Sequence, residues 1–135
     1  LDVTLTTDAA LASELAARDL DSVLVGADAV LADGSVVNKV GTRGLALAAA
    51  REGVPVRVVA AAAKVRPDER VHGEAGEAAA LYDGPASVTV ANPIFDRTPA
   101  DLVTEVITER GVLDADGVRA VAADHRADAR WDGVE

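Results

Sequence analysis

Residues 22–64 read SVLVGADAVLADGSVVNKVGTRGLALAAAREGVPVRVVAAAAK, and the succession of patterns in this stretch decides the fold. Residues 22–26 (SVLVG) form a short, continuously apolar run of β-formers, as a buried parallel strand requires. In residues 30–37, apolar pairs flank Asp33-Gly34, a two-residue turn signal for a small hairpin. Residues 41–51 (GTRGLALAAAR) read as a helix, with Gly53 where a C-cap belongs. Its alanine-rich faces suit close packing on a sheet. Residues 56–61 (VRVVAA) read as the next strand. Strand, helix and strand in that order imply a parallel α/β sheet.

Working outward, residues 2–6 (DVTLT) alternate apolar and polar and predict a strand. Asp8 is placed to N-cap a helix over residues 9–18, with Leu11 and Leu15 one turn apart. On the other side, residues 66–69 predict a loop and residues 74–81 a helix. Residues 87–91 (SVTVA) predict a fourth strand. Asn92-Pro93 and Thr98-Pro99 bracket a loop that carries Phe95. Thr98-Pro99-Ala100-Asp101 fits an N-cap followed by proline at the first helical position, or a single turn. Residues 103–108 (VTEVIT) are β-branched and predict a fifth strand. A terminal helix over residues 114–130 turns Val118 and Val121 inward. There is no internal repeat or linker.

Composition sets the outer bounds. The chain has 135 residues, a formal net charge of −10, 50% hydrophobic residues, 2% aromatics and no cysteine. That length suits one domain. The apolar fraction is too high for a disordered tail. No apolar run reaches the roughly 18 residues of a membrane span. Without cysteine, these residues offer no disulfide framework, thiolate metal site or thiol nucleophile. The acidity argues against direct nucleic-acid binding, which needs a basic surface. The chain begins at Leu1 with no signal-peptide pattern, as a piece of a longer cytoplasmic protein would. Of its 13 basic residues, 11 are arginine and 2 are lysine. High acidity with scarce lysine suggests a salt-adapted cytoplasm, in which carboxylates keep the protein soluble. A high-GC genome encoding an ordinary acidic protein is the competing explanation.

Several site types are missing. There is no G-x-G-x-x-G and no P-loop lysine motif, and no cofactor is indicated. Gly41-x-x-Gly44 is too short for a dinucleotide fingerprint, although it could bring helix-terminal N–H groups near a phosphate. His72 and His125 lack metal-ligand spacing and read as surface residues, and no metal site is expected. Asp114-Ala115-Asp116-Gly117 fits helix entry better than a calcium loop. The chemistry concentrates elsewhere. Asp28 directly follows the first buried strand, at the carboxyl end where open α/β sheets collect ligands. A carboxylate buried there is poised to move a proton; a loop aspartate capping backbone N–H groups accounts for the spacing equally well. Asn38-Lys39 precedes the helix, where an amide and an ammonium suit an anionic, hydroxylated ligand such as a sugar phosphate. Lys64 follows the third strand. The two lysines of an arginine-rich chain thus both fall on the expected ligand edge.

These residues resemble a known family. G-A-D at residues 26–28, the run D-G-S-V-V-N-K-V-G-T at residues 33–42, Lys64 after the next strand, and N-P-I-F-D-R-T-P at residues 92–99 are similar to the segments shared by the α, β and δ subunits of initiation factor 2B. Methylthioribose-1-phosphate isomerase and ribose-1,5-bisphosphate isomerase share them too. The resemblance covers nearly the whole chain. Asp33 stands where the family usually has asparagine, and both suit a tight turn.

The resemblance implies a Rossmann-like three-layer α/β sandwich with a mostly parallel sheet, with residues 1–135 forming the later part of the family's second domain. It further implies that Asp28 takes part in proton transfer with a catalytic cysteine located before Leu1, where the Arg-Gly-rich phosphate loop also lies. Asn38 and Lys39 would hold the phosphorylated sugar, with Lys64 near it. Two functions stay open: an aldose–ketose sugar-phosphate isomerase, or a non-catalytic initiation-factor-2B-like subunit that senses a sugar phosphate or nucleotide and has initiation factor 2 as a partner. A homo-oligomer is expected in either case.

Overall fold

The structure is a computed structural model that describes residues 1–68, 74–85 and 87–131. Its elements are α1 (Leu11–Ala17), β1 (Val23–Gly26), β2 (Ala29–Leu31), β3 (Val36–Lys39), α2 (Thr42–Glu52), β4 (Val56–Val59), β5 (Val65–Arg66), β6 (Phe95–Thr98), β7 (Glu105–Thr108), β8 (Gly111–Leu113) and α3 (Ala115–Trp131). They form two four-stranded sheets, ordered β1-β4-β7-β8 and β5-β2-β3-β6. In the first sheet β1, β4 and β7 run parallel, and β8 returns antiparallel to β7. This is the α/β architecture expected. The second sheet is new: β3 pairs antiparallel with β2 and β6, while β5 runs parallel to β2.

The first sheet has two different faces. Side chains alternate along a strand, so Val23, Val25, Val56, Val58 and Val106 share one face. Toward one end, Leu15 of α1 and Ala46 and Ala49 of α2 pack on Val23 and Val56. Toward the other, Val118, Val121 and Ala122 of α3, with Val30 and Val36 of the second sheet, pack around Val58 and Val106. Small alanines let α2 approach closely, as its composition implied. The opposite face carries Leu24, Arg57, Val59 and Val112, with Leu24 64% and Val112 60% exposed. Among the described residues, the run at residues 22–26 is therefore a strand covered on one face only, not a strand buried on both.

Other expectations need correction. Residues 1–7 are exposed and form no strand, because no neighbouring strand among the described residues takes up their N–H groups. A short 3-10 turn at Asp8–Ala10 precedes α1, and Thr7, not Asp8, occupies its N-cap position. Residues 74–81 contain only a 3-10 turn, Ala78–Ala80, and an isolated bridge from Ala75 to Pro93. Residues 87–91 form no strand. The β-structure lies just beyond, in β6, which occupies the expected loop. There Phe95 pairs with Lys39 and Thr98 with Val36.

The hairpin turn also differs in detail. Gly34 N donates to Leu31 O at 2.8 Å and Leu31 N to Ser35 O at 2.8 Å, closing a loop over residues 32–34. Gly34 has φ 86°, so glycine supplies the left-handed residue that ends a type I turn in such loops. Asp33 Oδ1 accepts from Ser35 N at 2.9 Å and Ser35 Oγ at 2.6 Å. Helix entry at Asp114 is as expected: its Oδ1 accepts from Gly117 N at 2.9 Å.

Candidate functional site

The three parallel strands release their chain at one edge, and each release delivers a polar side chain. After β1 the chain turns at Ala27–Asp28 into β2 of the second sheet. After β4 it makes a 3-10 turn, Ala62–Lys64, before β5. After β7 it reaches Glu109, in the tight turn to β8.

Two hydrogen bonds knot this edge together. Lys64 Nζ donates to Ala27 O at 2.6 Å, and Asp28 N donates to Val37 O at 2.9 Å. Asp28, Asn38 and Lys64 therefore each sit at, or one residue from, a bond of the same knot. Asp28 is exposed, not buried as the sequence reading had it. Its backbone N–H is used, and the Lys64 ammonium held at the preceding carbonyl has two further protons to donate.

Asn38 and Lys39 are adjacent in β3 and so point to opposite faces of the second sheet. Asn38 Nδ2 donates to Thr42 Oγ1 at 3.0 Å. The orientation is determined by Thr42, whose own hydroxyl donates to Lys39 O at 2.8 Å and can therefore only accept from the amide. Asn38 Oδ1 is left as the acceptor for a ligand. Lys39 Nζ lies 6.0 Å from the centroid of the Phe95 ring. It also lines a cleft of about 480 Å³ between α1 and the start of α2, with Asp8, Leu11, Thr42 and Leu45. Asp28 and Lys64 are not in the walls of that cleft.

The start of α2 holds a residue that sequence patterns missed. Asp96, opposite Asn38 in the ladder, accepts from Gly41 N at 2.8 Å and Arg43 N at 3.1 Å. The N–H groups suggested for a ligand phosphate at residues 41–44 thus already hold a carboxylate, which satisfies helix-terminal donors in the same way. The aspartate in N-P-I-F-D-R-T-P was the available signal. Its distance of 55 residues from Gly41 concealed the partner. His125 also departs from expectation. It is half-buried, and its Nδ1–H donates to Val65 O at 2.8 Å, the only role open to it opposite a carbonyl. His72 lies outside the described residues.

Residues 1–115 match the sequence model of the Initiation factor 2 subunit family. The chain belongs to this family. Over 133 residues it is 35% identical to methylthioribose-1-phosphate isomerase of Bacillus cereus, covering 91% of this chain and 38% of that protein. Over 118 residues it is 44% identical to ribose 1,5-bisphosphate isomerase of Haloferax volcanii, covering 81% of this chain and 36% of that one. The structure superposes with a TM-score of 0.76 and 33% identity on the δ subunit of translation initiation factor eIF-2B from A. fulgidus, covering 91% of this chain and 39% of that one. The family member described here thus spans under two-fifths of the length of each of these relatives.

Proposed function

We propose that these residues are the carboxyl-terminal, substrate-binding part of a sugar-phosphate aldose–ketose isomerase of the ribose-1,5-bisphosphate type. The observation that supports this reading is the knot at the sheet edge, where Lys64 Nζ bonds Ala27 O and Asp28 N bonds Val37 O, one residue before Asn38. Asp28 moves a proton at the oxygen of the sugar's second carbon, while a cysteine thiol from chain preceding Leu1 acts at carbon. Asn38 Oδ1 accepts from a sugar hydroxyl. Lys64 offers its remaining N–H protons to an anionic oxygen, and Lys39 meets phosphate from the cleft beside α2. Relatives named for each of the two sugar phosphates match at similar identity, 46% for a methylthioribose-1-phosphate isomerase and 44% for the Haloferax volcanii ribose 1,5-bisphosphate isomerase, so both are substrates to test.

The test is turnover by the full-length protein, followed by phosphorus NMR with each of the two sugar phosphates. Conversion of ribose 1,5-bisphosphate to its ketose is expected, and Asp28→Asn should lower kcat by roughly a thousandfold, as loss of a positioned acid–base group does. The isolated 135 residues should show no turnover. No conversion of either sugar phosphate by the full-length protein would sink the enzymatic reading.

The likeness to the eIF-2B δ subunit supports a second reading, a non-catalytic subunit that binds a sugar phosphate or nucleotide and docks initiation factor 2. Saturable ligand binding by the full-length protein without turnover selects it. Either reading includes self-association, for which the uncovered face of the first sheet is the candidate surface. A monomer in size-exclusion chromatography would contradict that.

A further inference from the structure

We propose that Glu109 is the positioning residue for Lys64, holding the turn that aims its ammonium at the Ala27–Asp28 corner. Glu109 Oε2 accepts from Ala62 N at 2.9 Å, which is the first N–H of the Ala62–Lys64 turn. Without that carboxylate the N–H of buried Ala62 would lose its partner in a turn that holds itself by two backbone bonds, Lys64 N to Ala61 O at 2.9 Å and Val65 N to Ala62 O. A three-residue 3-10 turn has little stability of its own, since its hydrogen-bond geometry is poor and few bonds fix it. The direction of the Lys64 side chain therefore depends on outside contacts.

Those contacts come from both ends. Glu109 holds the turn at Ala62 from the β7–β8 connection. The Nδ1–H of His125 holds the carbonyl of Val65, just after Lys64, from α3, and the Arg126 guanidinium bonds Pro67 O two residues further on. The β7–β8 connection is itself rigid: Thr108 Oγ1 donates to Gly111 O at 2.9 Å and accepts from Arg110 N at 3.1 Å, and Gly111 takes φ 113°. The ionised state is favoured at Glu109. The Ala62 N–H, its own backbone N–H and the charge of Arg110 outweigh its slight desolvation and hold the carboxyl below its usual range.

The positional claim rests on the structure alone, while its effect on turnover rests on the isomerase reading; the experiment separates the two. The chain contains two lysines, and exposed Lys39 serves as an internal reference for Lys64. Acetylation by a dilute N-hydroxysuccinimide ester on the full-length protein, read per site by peptide mass spectrometry, gives the Lys64-to-Lys39 rate ratio. Glu109→Ala should raise this ratio about threefold, because Nζ is released from Ala27 O. Glu109→Gln keeps an acceptor for Ala62 N and should stay at the native ratio. Glu109→Asp, one methylene short of Ala62 N, should fall between, and it decides the matter if the alanine variant does not fold. An unchanged ratio in a folded Ala or Asp variant overturns the proposal.

In the turnover assay, Glu109→Ala should lower kcat about tenfold with little change in KM, and this loss should vanish in a Lys64→Ala background, as non-additivity requires of two residues acting as one unit. Equal losses in both backgrounds would mean a general structural role and likewise overturn it. If the native protein turns over neither sugar phosphate, the isomerase reading falls and the labelling ratio still decides the role of Glu109.

Discussion

The two sheets of this protein make opposite use of short strands. In the second sheet, strands of two to four residues bury Val30, Leu31 and Val36 completely. In the first, three parallel strands of four residues leave Leu24 and Val59 at least half exposed on one side. The difference comes from what each sheet meets. The second sheet lies against α3 and the first sheet on one side, and packs Phe95 against Ala29, Leu31 and Val37 on the other. Among the described residues the first has its helices on one face alone. The second sheet is thus part of the stability core, while the first presents an apolar surface beside the site edge.

Leucine truncation on each sheet breaks this contrast with the largest effect. Leu31→Ala should cost about 3 kcal/mol, since a fully buried leucine leaves a cavity behind. Leu24→Ala, at 64% exposure, should stay within about 0.5 kcal/mol. Urea unfolding of the two variants measures the gap, and equal losses would mean that the bare face is covered in solution. Next comes the hairpin that closes the second sheet. Gly34 has φ 86°, and a Cβ there would meet the Ala100 Cβ at 3.2 Å. Gly34→Val should therefore destabilise by about 2 kcal/mol through strain at the left-handed position. Gly26→Ala in the first sheet finds nothing within 4 Å and should be close to neutral in the same assay.

The smallest effect concerns the ties between hairpin and β6. Arg97 donates through Nε to Ser35 Oγ at 2.8 Å and pairs with Asp33 at 2.5 Å. Both side chains are more than a third exposed, so Arg97→Ala should cost no more than about 1 kcal/mol. The pH dependence has a definite sign. Burial would raise the Asp33 carboxyl, but the Ser35 hydroxyl and N–H and the Arg97 charge outweigh it and hold the pKa below 3.8. The unfolded chain then binds the proton more readily than the folded one. The contribution is fully present above pH 3.8 and is lost as pH falls through the lower, folded value. Thermal melts between pH 5 and pH 2 should show a shallower acid-side decline in Arg97→Ala; parallel curves would remove Asp33 from the account.

Much of the first sheet was legible because its signals are local. The apolar run at Val23, the helix with its Gly53 cap and the β-branched run at Val106 each carry a pattern within a few residues. Asp28, Asn38, Lys39 and Lys64 were legible as candidates for the same reason, since each follows or ends such an element. The misses share a cause. Residues 1–7 alternate like a strand but find no partner. Residues 87–91 have the β-branched composition, yet β6 forms at Phe95–Thr98 because there the register with Val36–Lys39 satisfies the ladder. Side-chain composition biases the backbone, but the hydrogen-bonding neighbour decides whether a strand exists.

The sequence by itself determined the α/β class, the order of the parallel strands' elements and the family to which this chain belongs, because periodicity, turn residues and motif spacing are properties of neighbours along the chain. Only the tertiary structure decided that Asn38 and Lys39 diverge, that Asp96 occupies the start of α2, and that Glu109 and His125 grip the two ends of the Lys64 turn. Glu109 lies 47 residues from its partner Ala62, and His125 lies 60 from Val65. Such contacts exist only once strands have paired and a helix has packed, since hydrogen bonds act over about 3 Å of space and are indifferent to separation along the chain.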